Sequence, residues 1–549
     1  MKNAILFLFL FISTVSCKTQ TKLAVPVWVP YNETEELTAN AEHPSQKLRY
    51  KLIQSKLLDK NEMWVSINKQ LGAFSEEDYL LLKPQILEQD IPTLQANIKS
   101  GKLTYENLTK WYLYRIAKFE NDKDRMLNAV VAINPKAVSE AQKKDKKKSL
   151  KDDLIYGIPI LLKDNINAKG MPTTAGASAL LNNHTSDAFI VERIKEKGGI
   201  ILGKTNLSEW ANYLCLDCPN GYSAVGGQTL NAYGRKKFDT GGSSSGSGAA
   251  MSANYAAAAV GTETSGSILS PSSKSSIVGL KPTVGLLSRS GIVPISSTLD
   301  TPGPMTRNSI DNAILLSAMS GEDVLDIATK NNPKEINYYE ELKNASLKGL
   351  RFGVFKNYLA DSLYKLSIEK IESLGGITVE IEQEQIKFED FGVLLSADMK
   401  IDLVTYLQQF ASREIDFRSV QDIVAFNKMD SSLRIPYGQG RFEGILKTNV
   451  SREELEQIKN KLQTAGKQFF DIPMNNNQLD AILSIDNRNA GYAAAAKYPC
   501  LTIPMGYKEN EEPAGLTFIA KPFEETKLLK MASALEQANT KRISPEEYK

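Results

Sequence analysis

The 549-residue sequence predicts an α/β protein, in which strands and helices alternate along the chain. A continuous apolar run over residues 154–163 is typical of a strand that is buried on both faces, and it ends at a charge, Lys163. Residues 188–197 predict a helix that stops before Gly198, and residues 200–202 predict the next short strand. This strand–helix–strand order indicates helices layered on a sheet.

Further elements are predicted on both sides of this core. Residues 46–89 and 94–120 place apolar residues three and four positions apart, which predicts helices, and Thr104 is suited to begin one of them. Residues 321–480 are mainly charged and helical in pattern, and they are a candidate cap over a site. Short apolar runs predict three later strands, at residues 350–355, 482–485 and 499–504.

The bulk composition excludes some classes of partner. The chain has a net charge of +2 and 42% hydrophobic residues, as a soluble globular protein does. So balanced a charge gives no field that would attract nucleic acid, and we expect no nucleic-acid partner. A run of lysines over residues 143–148 is interpreted as a solvated loop or helix end rather than a binding patch.

The N-terminus predicts export. Residues 1–3 carry a lysine, residues 4–12 are apolar but too few to span a bilayer permanently, and small residues then lead to Cys17. This order resembles a bacterial lipoprotein signal with Cys17 as the lipidated residue. An ordinary secretory signal is the alternative, because Thr14 stands where an aliphatic residue is usual. The sequence therefore predicts a signal peptide over residues 1–17 and a periplasmic or outer-membrane lipoprotein, attached to the membrane through Cys17.

The remaining cysteines are Cys215, Cys218 and Cys500. The spacing of Cys215 and Cys218 is compatible with a metal site, a redox pair or a local disulfide. A four-ligand zinc site needs further ligands, and the chain has only two histidines, His43 and His184. We therefore expect a local disulfide or two plain thiols, with no metal and no other cofactor.

Two glycine- and serine-rich segments are the most informative part of the chain. Residues 241–248 and 261–268 flank an alanine-rich segment over residues 249–259, which we interpret as one buried helix. Glycine lets the backbone approach a substrate closely, and a serine hydroxyl can attack a carbonyl or relay a proton. A flexible linker is the alternative, but the neighbouring runs are apolar and contain little charge. The two segments therefore predict a catalytic site.

A nucleophilic serine needs a base, which is usually a histidine. His43 and His184 lie in polar, loop-like sequence, and no serine elbow is set between a strand and a helix. A neutral lysine can replace histidine if burial lowers its pKa from about 10.4 to 7–8, at a cost of roughly 3–5 kcal/mol. Lys163 ends a buried strand and is the candidate. The alternative is a lysine whose side chain simply extends to solvent.

Taken together, these residues resemble the amidase signature family of serine hydrolases, in its bacterial, peptide-amidase-like branch. The resemblance implies an α/β/α sandwich with a large mixed central sheet of about ten or more strands, over residues 91–549. Before it, residues 18–45 are polar and irregular, as a tether would be, and residues 46–90 form a helical extension. The motifs match in order at residues 157–165, 203–212, 241–248, 261–268, 279–286, 300–305, 498–504 and 515–518.

The resemblance implies a Ser-Ser-Lys triad. Lys163 matches the family's catalytic lysine, Ser243 the bridging serine that follows a cis peptide, and Ser267 the nucleophile. In that scheme neutral Lys163 takes a proton through Ser243 while Ser267 attacks an amide carbonyl, and water then releases the acyl group. The oxyanion would be held by the backbone N–H groups of Thr264, Ser265, Gly266 and Ser267.

Some positions depart from the family's pattern. Ser265 stands where glycine or aspartate is common, Leu269 where many members carry arginine, and Glu263 where aspartate is common. None of these changes removes a triad residue, although Ser265 and Leu269 are placed to alter the oxyanion site. A disulfide between Cys215 and Cys218 would lie near the mouth of the site.

The sequence thus predicts a serine amidase that hydrolyses a carboxylic amide C–N bond through an acyl-enzyme intermediate. Its substrate is a small-molecule or peptide amide. The predicted export disfavours the family's subunit that supplies ammonia for tRNA amidation. A catalytically weak, amidase-like surface binding protein is the alternative, and replacing Ser267 by alanine separates the two.

Overall fold

The structure is a computed structural model that describes residues 25–147, 153–333 and 336–549. The strands of these residues are β1 (Val130–Ile133), β2 (Pro159–Lys163), β3 (Ile200–Thr205), β4 (Tyr222–Ser223), β5 (Gly227–Gln228), β6 (Ala258–Glu263), β7 (Val278–Lys281), β8 (Thr301–Thr306), β9 (Arg351–Phe355), β10 (Ile377–Ile381), β11 (Ala481–Ile485), β12 (Cys500–Tyr507) and β13 (Pro513–Ile519). The α-helices are α1 (Thr34–Asn40), α2 (Lys60–Leu71), α3 (Glu76–Ile86), α4 (Ile91–Lys99), α5 (Tyr105–Glu120), α6 (Ala137–Lys146), α7 (Phe189–Glu196), α8 (Glu209–Asn212), α9 (Ser245–Ser252), α10 (Leu269–Lys274), α11 (Ser309–Met319), α12 (Tyr338–Glu341), α13 (Ser362–Ser373), α14 (Phe391–Gln409), α15 (Val420–Lys428), α16 (Ser431–Arg434), α17 (Gly440–Lys447), α18 (Arg452–Asn477), α19 (Ala490–Ala496) and α20 (Glu525–Ala538).

A single large sheet organises the fold. Eleven strands lie in the order β1-β3-β2-β6-β8-β7-β12-β13-β11-β9-β10, and β4 and β5 form a separate pair. The sheet is mixed: β2 runs parallel to β3 and β6, whereas β8 runs antiparallel to β6 and β7. Helices flank it; α9 packs on β2, β3 and β6, and α11 packs on β6, β7 and β8. This architecture confirms the predicted α/β/α sandwich with a large mixed sheet.

The parallel pair β2 and β6 positions the candidate site. Because parallel strands end at the same edge of a sheet, the carboxyl ends of these two strands lie together. Leu162 pairs with Val260, so Lys163 at the end of β2 lies beside the last residues of β6. Every residue of both strands is buried, as their apolar sequence requires.

The alanine-rich segment is not one helix, and that prediction is wrong. Helix α9 begins at Ser245, inside the first glycine–serine segment, and ends at Ser252; residues 258–263 form β6. Alanines that are buried on all sides carry no polar–apolar period, so the sequence does not mark where the helix stops. Pairing with β2 and β8 fixes a strand there and overrides the helix preference of alanine.

The other predicted elements are confirmed. The helix over residues 188–197 is α7, and Thr104 is the N-cap of α5, where its side chain accepts a hydrogen bond from Asn107 N. Residues 321–480 contain β9, β10 and helices α13 to α18. The predicted strands correspond to β2, β3, β9, β11 and β12.

The residues before α4 pack on the main body. Trp64 and Ile67 of α2 are buried in the same hydrophobic core as the central sheet. Val25 and Trp28, in the stretch predicted as a tether, are buried too, and the Val25 amide donates to Asn68 Oδ1 of α2 at 2.9 Å. The polar composition of residues 18–45 thus hides a few apolar side chains that fix residues 25–28 against α2.

Candidate active site

Lys163 is buried at the end of β2, with none of its surface exposed. Its Nζ lies 2.8 Å from Ser243 Oγ, 2.9 Å from Thr262 Oγ1 and 3.1 Å from the Thr262 carbonyl oxygen. Burial lowers the pKa of this amine to about 7, although the carboxylates of Asp300 and Glu263 favour the charged form. A large share of Lys163 is therefore neutral near pH 7, as a general base must be.

Ser243 lies on the turn that leads into α9. The Gly242–Ser243 peptide bond is cis, and Ser243 is fully buried. Its carbonyl oxygen accepts a hydrogen bond from the Ser208 amide at 3.1 Å. Gly241 has a φ of +68°, and a Cβ there would lie 2.7 Å from the backbone of Pro271, so only glycine fits at this position.

Ser267 lies on the loop between β6 and α10, next to the turn that carries Ser243. The Ser267 carbonyl oxygen accepts a hydrogen bond from the Ser244 amide at 3.1 Å, which ties the two loops together. Gly266 has a φ of +82°, and a Cβ there would meet Asn487 Nδ2 at 2.6 Å. The structure thus brings Lys163 and Ser243 into direct contact and places Ser267 on the adjoining loop.

The carboxylate of Glu263 organises this loop. Its Oε1 accepts from the Gly266 amide at 2.6 Å, and its Oε2 accepts from two amides at the start of α10, at 2.7 and 3.0 Å. Burial raises the pKa of Glu263. Of the four amides predicted to hold the oxyanion, that of Gly266 is therefore engaged. Within the described ranges, the amides of Thr264, Ser265 and Ser267 have no hydrogen-bond partner.

Sequence reasoning assigned no role to three residues around Lys163. Thr262 accepts from Lys163, and Asn165 Nδ2 donates to Thr262 Oγ1 at 3.0 Å. Asp300 accepts from Thr264 Oγ1 at 2.5 Å and from two backbone amides at 2.8 and 2.9 Å. Asn165 and Asp300 stand within the matched motifs, which is the signal that would have found them. Thr262 is found only once residues 258–263 are known to be a strand beside β2.

Cavities adjoin this cluster. A small one is lined by Asn165, Thr262 and Thr264, among others, and it shares Arg289, Ile292 and Asp300 with a wider cavity of about 170 Å³. The wider cavity is also bounded by Tyr406 and Phe410, at the end of α14. Part of the segment predicted as a cap therefore lines the space next to the candidate site.

Cys215 and Cys218 form a disulfide, with their Cα atoms 5.7 Å apart. The segment around it packs on α17, because the Arg441 side chain and amide donate to the carbonyl oxygens of Cys215 and Leu214 at 3.2 and 3.1 Å. Cys500 is a buried thiol, and burial raises its pKa to about 12. It is therefore a packing residue rather than a nucleophile.

Comparisons with known proteins match most of the chain. The Amidase family model matches residues 107–435. A probable amidase of Arabidopsis thaliana is 34% identical over 476 residues, which cover 84% of this chain and 92% of that protein. A putative amidase of Schizosaccharomyces pombe is 31% identical over 510 residues, with 83% and 86% covered.

Two solved structures are also similar. An amidase family protein from Bacillus anthracis has a TM-score of 0.85 and 36% identity, covering 90% of this chain and 99% of its own. Native peptide amidase from Stenotrophomonas maltophilia has a TM-score of 0.79 and 35% identity, covering 84% and 99%.

The prediction of an exported, lipid-anchored protein is wrong. The matching relatives are named as amidases of Arabidopsis thaliana and Schizosaccharomyces pombe and as glutamyl-tRNA(Gln) amidotransferase subunits, not as lipoproteins. These relatives overturn the periplasmic or outer-membrane location and the membrane partner, and they do not confirm a bacterial branch. A short apolar stretch before a cysteine is a weak pattern, and its residues 1–17, with Cys17, lie outside the described residues. In the part of the chain that the structure describes, no helix is long and apolar enough to cross a membrane.

Proposed function

Because the chain belongs to the amidase family and is a hydrolase of amide bonds, we propose that it cleaves its substrate with a Ser-Ser-Lys triad. Ser267 is the nucleophile, Ser243 the bridging acid and base, and Lys163 the terminal base. The observation that carries this proposal is the 2.8 Å hydrogen bond between Lys163 Nζ and Ser243 Oγ, made by two fully buried side chains. A buried neutral lysine has no structural need of such a partner, whereas a proton relay does.

Acylation proceeds by proton transfer along the three side chains. Ser267 passes its hydroxyl proton to Ser243, which passes its own to the neutral amine of Lys163, while Ser267 Oγ bonds to the amide carbon. When the tetrahedral intermediate collapses, the C–N bond breaks and Ser243 gives a proton to the leaving nitrogen, replaced from Lys163. Water then attacks the acyl-enzyme and returns a proton to Ser267 by the same relay, which leaves a carboxylic acid.

The backbone of the loop that carries Ser267 supplies the oxyanion site. The amides of Thr264, Ser265 and Ser267 are the donors that the loop leaves unpaired in the described ranges, since Glu263 occupies that of Gly266. Each such donor is worth roughly 10²–10³ in kcat. Glu263 thus acts on the oxyanion site through the shape of the loop, and it replaces the support that an arginine at position 269 would give.

The substrate class follows the peptide-amidase-like branch, in which we place this chain. What supports this placement is the similarity to peptide amidase at 35% identity and a TM-score of 0.79. The glutamyl-tRNA(Gln) amidotransferase protein from Thermotoga maritima has a TM-score of 0.58 and 24% identity, which is a likeness of fold alone. We propose that the substrate is a peptide amide. The amidase domain spans residues 91–549, and residues 46–90 form a helical extension packed on it.

Ammonia release from amidated peptides tests the substrate. A short peptide with a C-terminal carboxamide is expected to release one ammonia per peptide, while its internal peptide bonds stay intact. The same peptide with a free C-terminal carboxylate is the matched control and is expected to release none. Both are followed by enzymatic ammonia assay and mass spectrometry. Hydrolysis of small carboxamides but not of the peptide amide would contradict the substrate class and leave the triad standing.

A further inference from the structure

Two amide side chains lie against Gly242, the residue before Ser243. A Cβ on Gly242 would lie 3.0 Å from Asn212 Nδ2 and 3.0 Å from Asn220 Oδ1. Asn212 Nδ2 donates to Asn220 Oδ1 at 3.2 Å, so the two side chains are joined where they touch this backbone. Neither residue contacts Lys163, and the triad scheme gives them no role.

Asn220 extends this contact into a hydrogen-bonded chain. Its Nδ2 donates to both carboxylate oxygens of Asp239, at 3.1 and 2.9 Å. Asp239 Oδ1 in turn accepts from the Gly241 amide at 2.9 Å. The carboxylate of Asp239 therefore fixes the backbone two residues before Ser243, and Asn220 fixes that carboxylate.

The segment that carries the two amides is itself held at both ends. The Cys215–Cys218 disulfide closes a turn between Asn212 and Asn220. Just after Asn220, the Gly221 amide donates to Ser208 Oγ at 2.8 Å, and the Ser208 amide donates to the Ser243 carbonyl oxygen. The backbone around Ser243 is thus held from before, through Asp239, and from the Ser243 peptide itself, through Ser208.

We propose that Asn220 is a positioning residue for the bridging serine. By holding Asp239 on the Gly241 amide, it keeps Ser243 Oγ within hydrogen-bond distance of Lys163 Nζ. The inference rests on the proposed function, since it assigns Asn220 to the proton relay rather than to the binding of substrate. A misplacement of about 1 Å in a reacting group can cost about 10²-fold in rate, so loss of this support reduces kcat and leaves KM unchanged.

A charge swap tests the role of Asn220. Asn220→Asp keeps the shape, removes the donor and sets a carboxylate against Asp239; we expect kcat to fall roughly 10- to 100-fold at unchanged KM. In the double variant Asn220→Asp, Asp239→Asn, the amide at position 239 donates to the carboxylate at position 220 and still accepts from Gly241. Every hydrogen bond is then restored with the charge moved, and kcat is expected to recover to within a few-fold of the parent.

Asn510→Asp is the matched control, because Asn510 is exposed on a loop and only accepts, from the Glu512 amide. It is expected to leave kcat unchanged. Full kcat in Asn220→Asp, or a double variant no better than the single one, would overturn the inference; if the single variant does not fold, the double variant decides. Full activity of Ser243→Ala would instead refute the proposed function, so the two failures are distinguishable.

Discussion

Replacing Ser267 by alanine is expected to lower kcat by on the order of 10⁵- to 10⁶-fold, because no acyl-enzyme can form without its hydroxyl. The fold is expected to survive. Among the hydrogen bonds of the described residues, Ser267 contributes only its backbone, so the substitution leaves no buried partner unpaired. Activity is measured as ammonia release from an amide substrate, and folding as the thermal unfolding midpoint.

Ser270→Ala is the matched control for this experiment. Ser270 lies three positions further on, in α10, and its hydroxyl has no hydrogen-bond partner in the described ranges. Its kcat is expected to stay within about twofold of the parent, since surface-type substitutions of this kind change little. If Ser267→Ala retained a kcat within tenfold of the parent, Ser267 would not be the nucleophile. A variant that loses turnover but keeps binding the amide would show that binding and catalysis are separable at this site.

Replacing Lys163 by methionine removes the terminal base and is expected to lower kcat/KM by roughly 10³- to 10⁴-fold. In the parent, kcat/KM is expected to rise with pH and to reach half its maximum near pH 7. The sign follows from the pKa of Lys163, about 7: below it the amine is protonated and cannot accept a proton, and above it the amine is free.

A neutral amide substrate keeps its own ionisation out of this profile. The residual activity of Lys163→Met is expected to show no step near pH 7, because the group that titrates is gone. A parent profile that falls as pH rises, or a step near pH 7 that persists in Lys163→Met, would exclude Lys163 as the base. Lys163→Met is also expected to remain folded, since methionine fills a similar buried volume.

The triad was predictable because its residues lie in long motifs with fixed order. Lys163 was also marked locally, as the charge that ends a continuous apolar strand, and the structure buries it at that strand end. Thr262 was not predictable from pattern. It lies in β6, which begins within the alanine-rich run, and only the pairing with β2 shows that its hydroxyl faces Lys163.

β8 could not be predicted either. Its sequence contains Pro302 and Pro304, and proline is normally confined to edge strands because it cannot donate to the ladder. Yet β8 lies inside the sheet between β6 and β7, where Pro302 pairs with Thr262 and Pro304 with Val260. The tertiary structure here overrides a local rule, as it does for the alanines of β6. Similarly, the chain from Asn220 through Asp239 to Gly241 joins residues of separate turns, which no local pattern relates.

The most direct test of the account is the site of covalent labelling by a fluorophosphonate, which reacts with activated serines. The account predicts one adduct per chain, mapped by peptide mass spectrometry to Ser267, and loss of labelling in Lys163→Met that is still folded. An adduct on another serine, labelling that is unchanged in Lys163→Met, or no adduct on folded parent protein would contradict it.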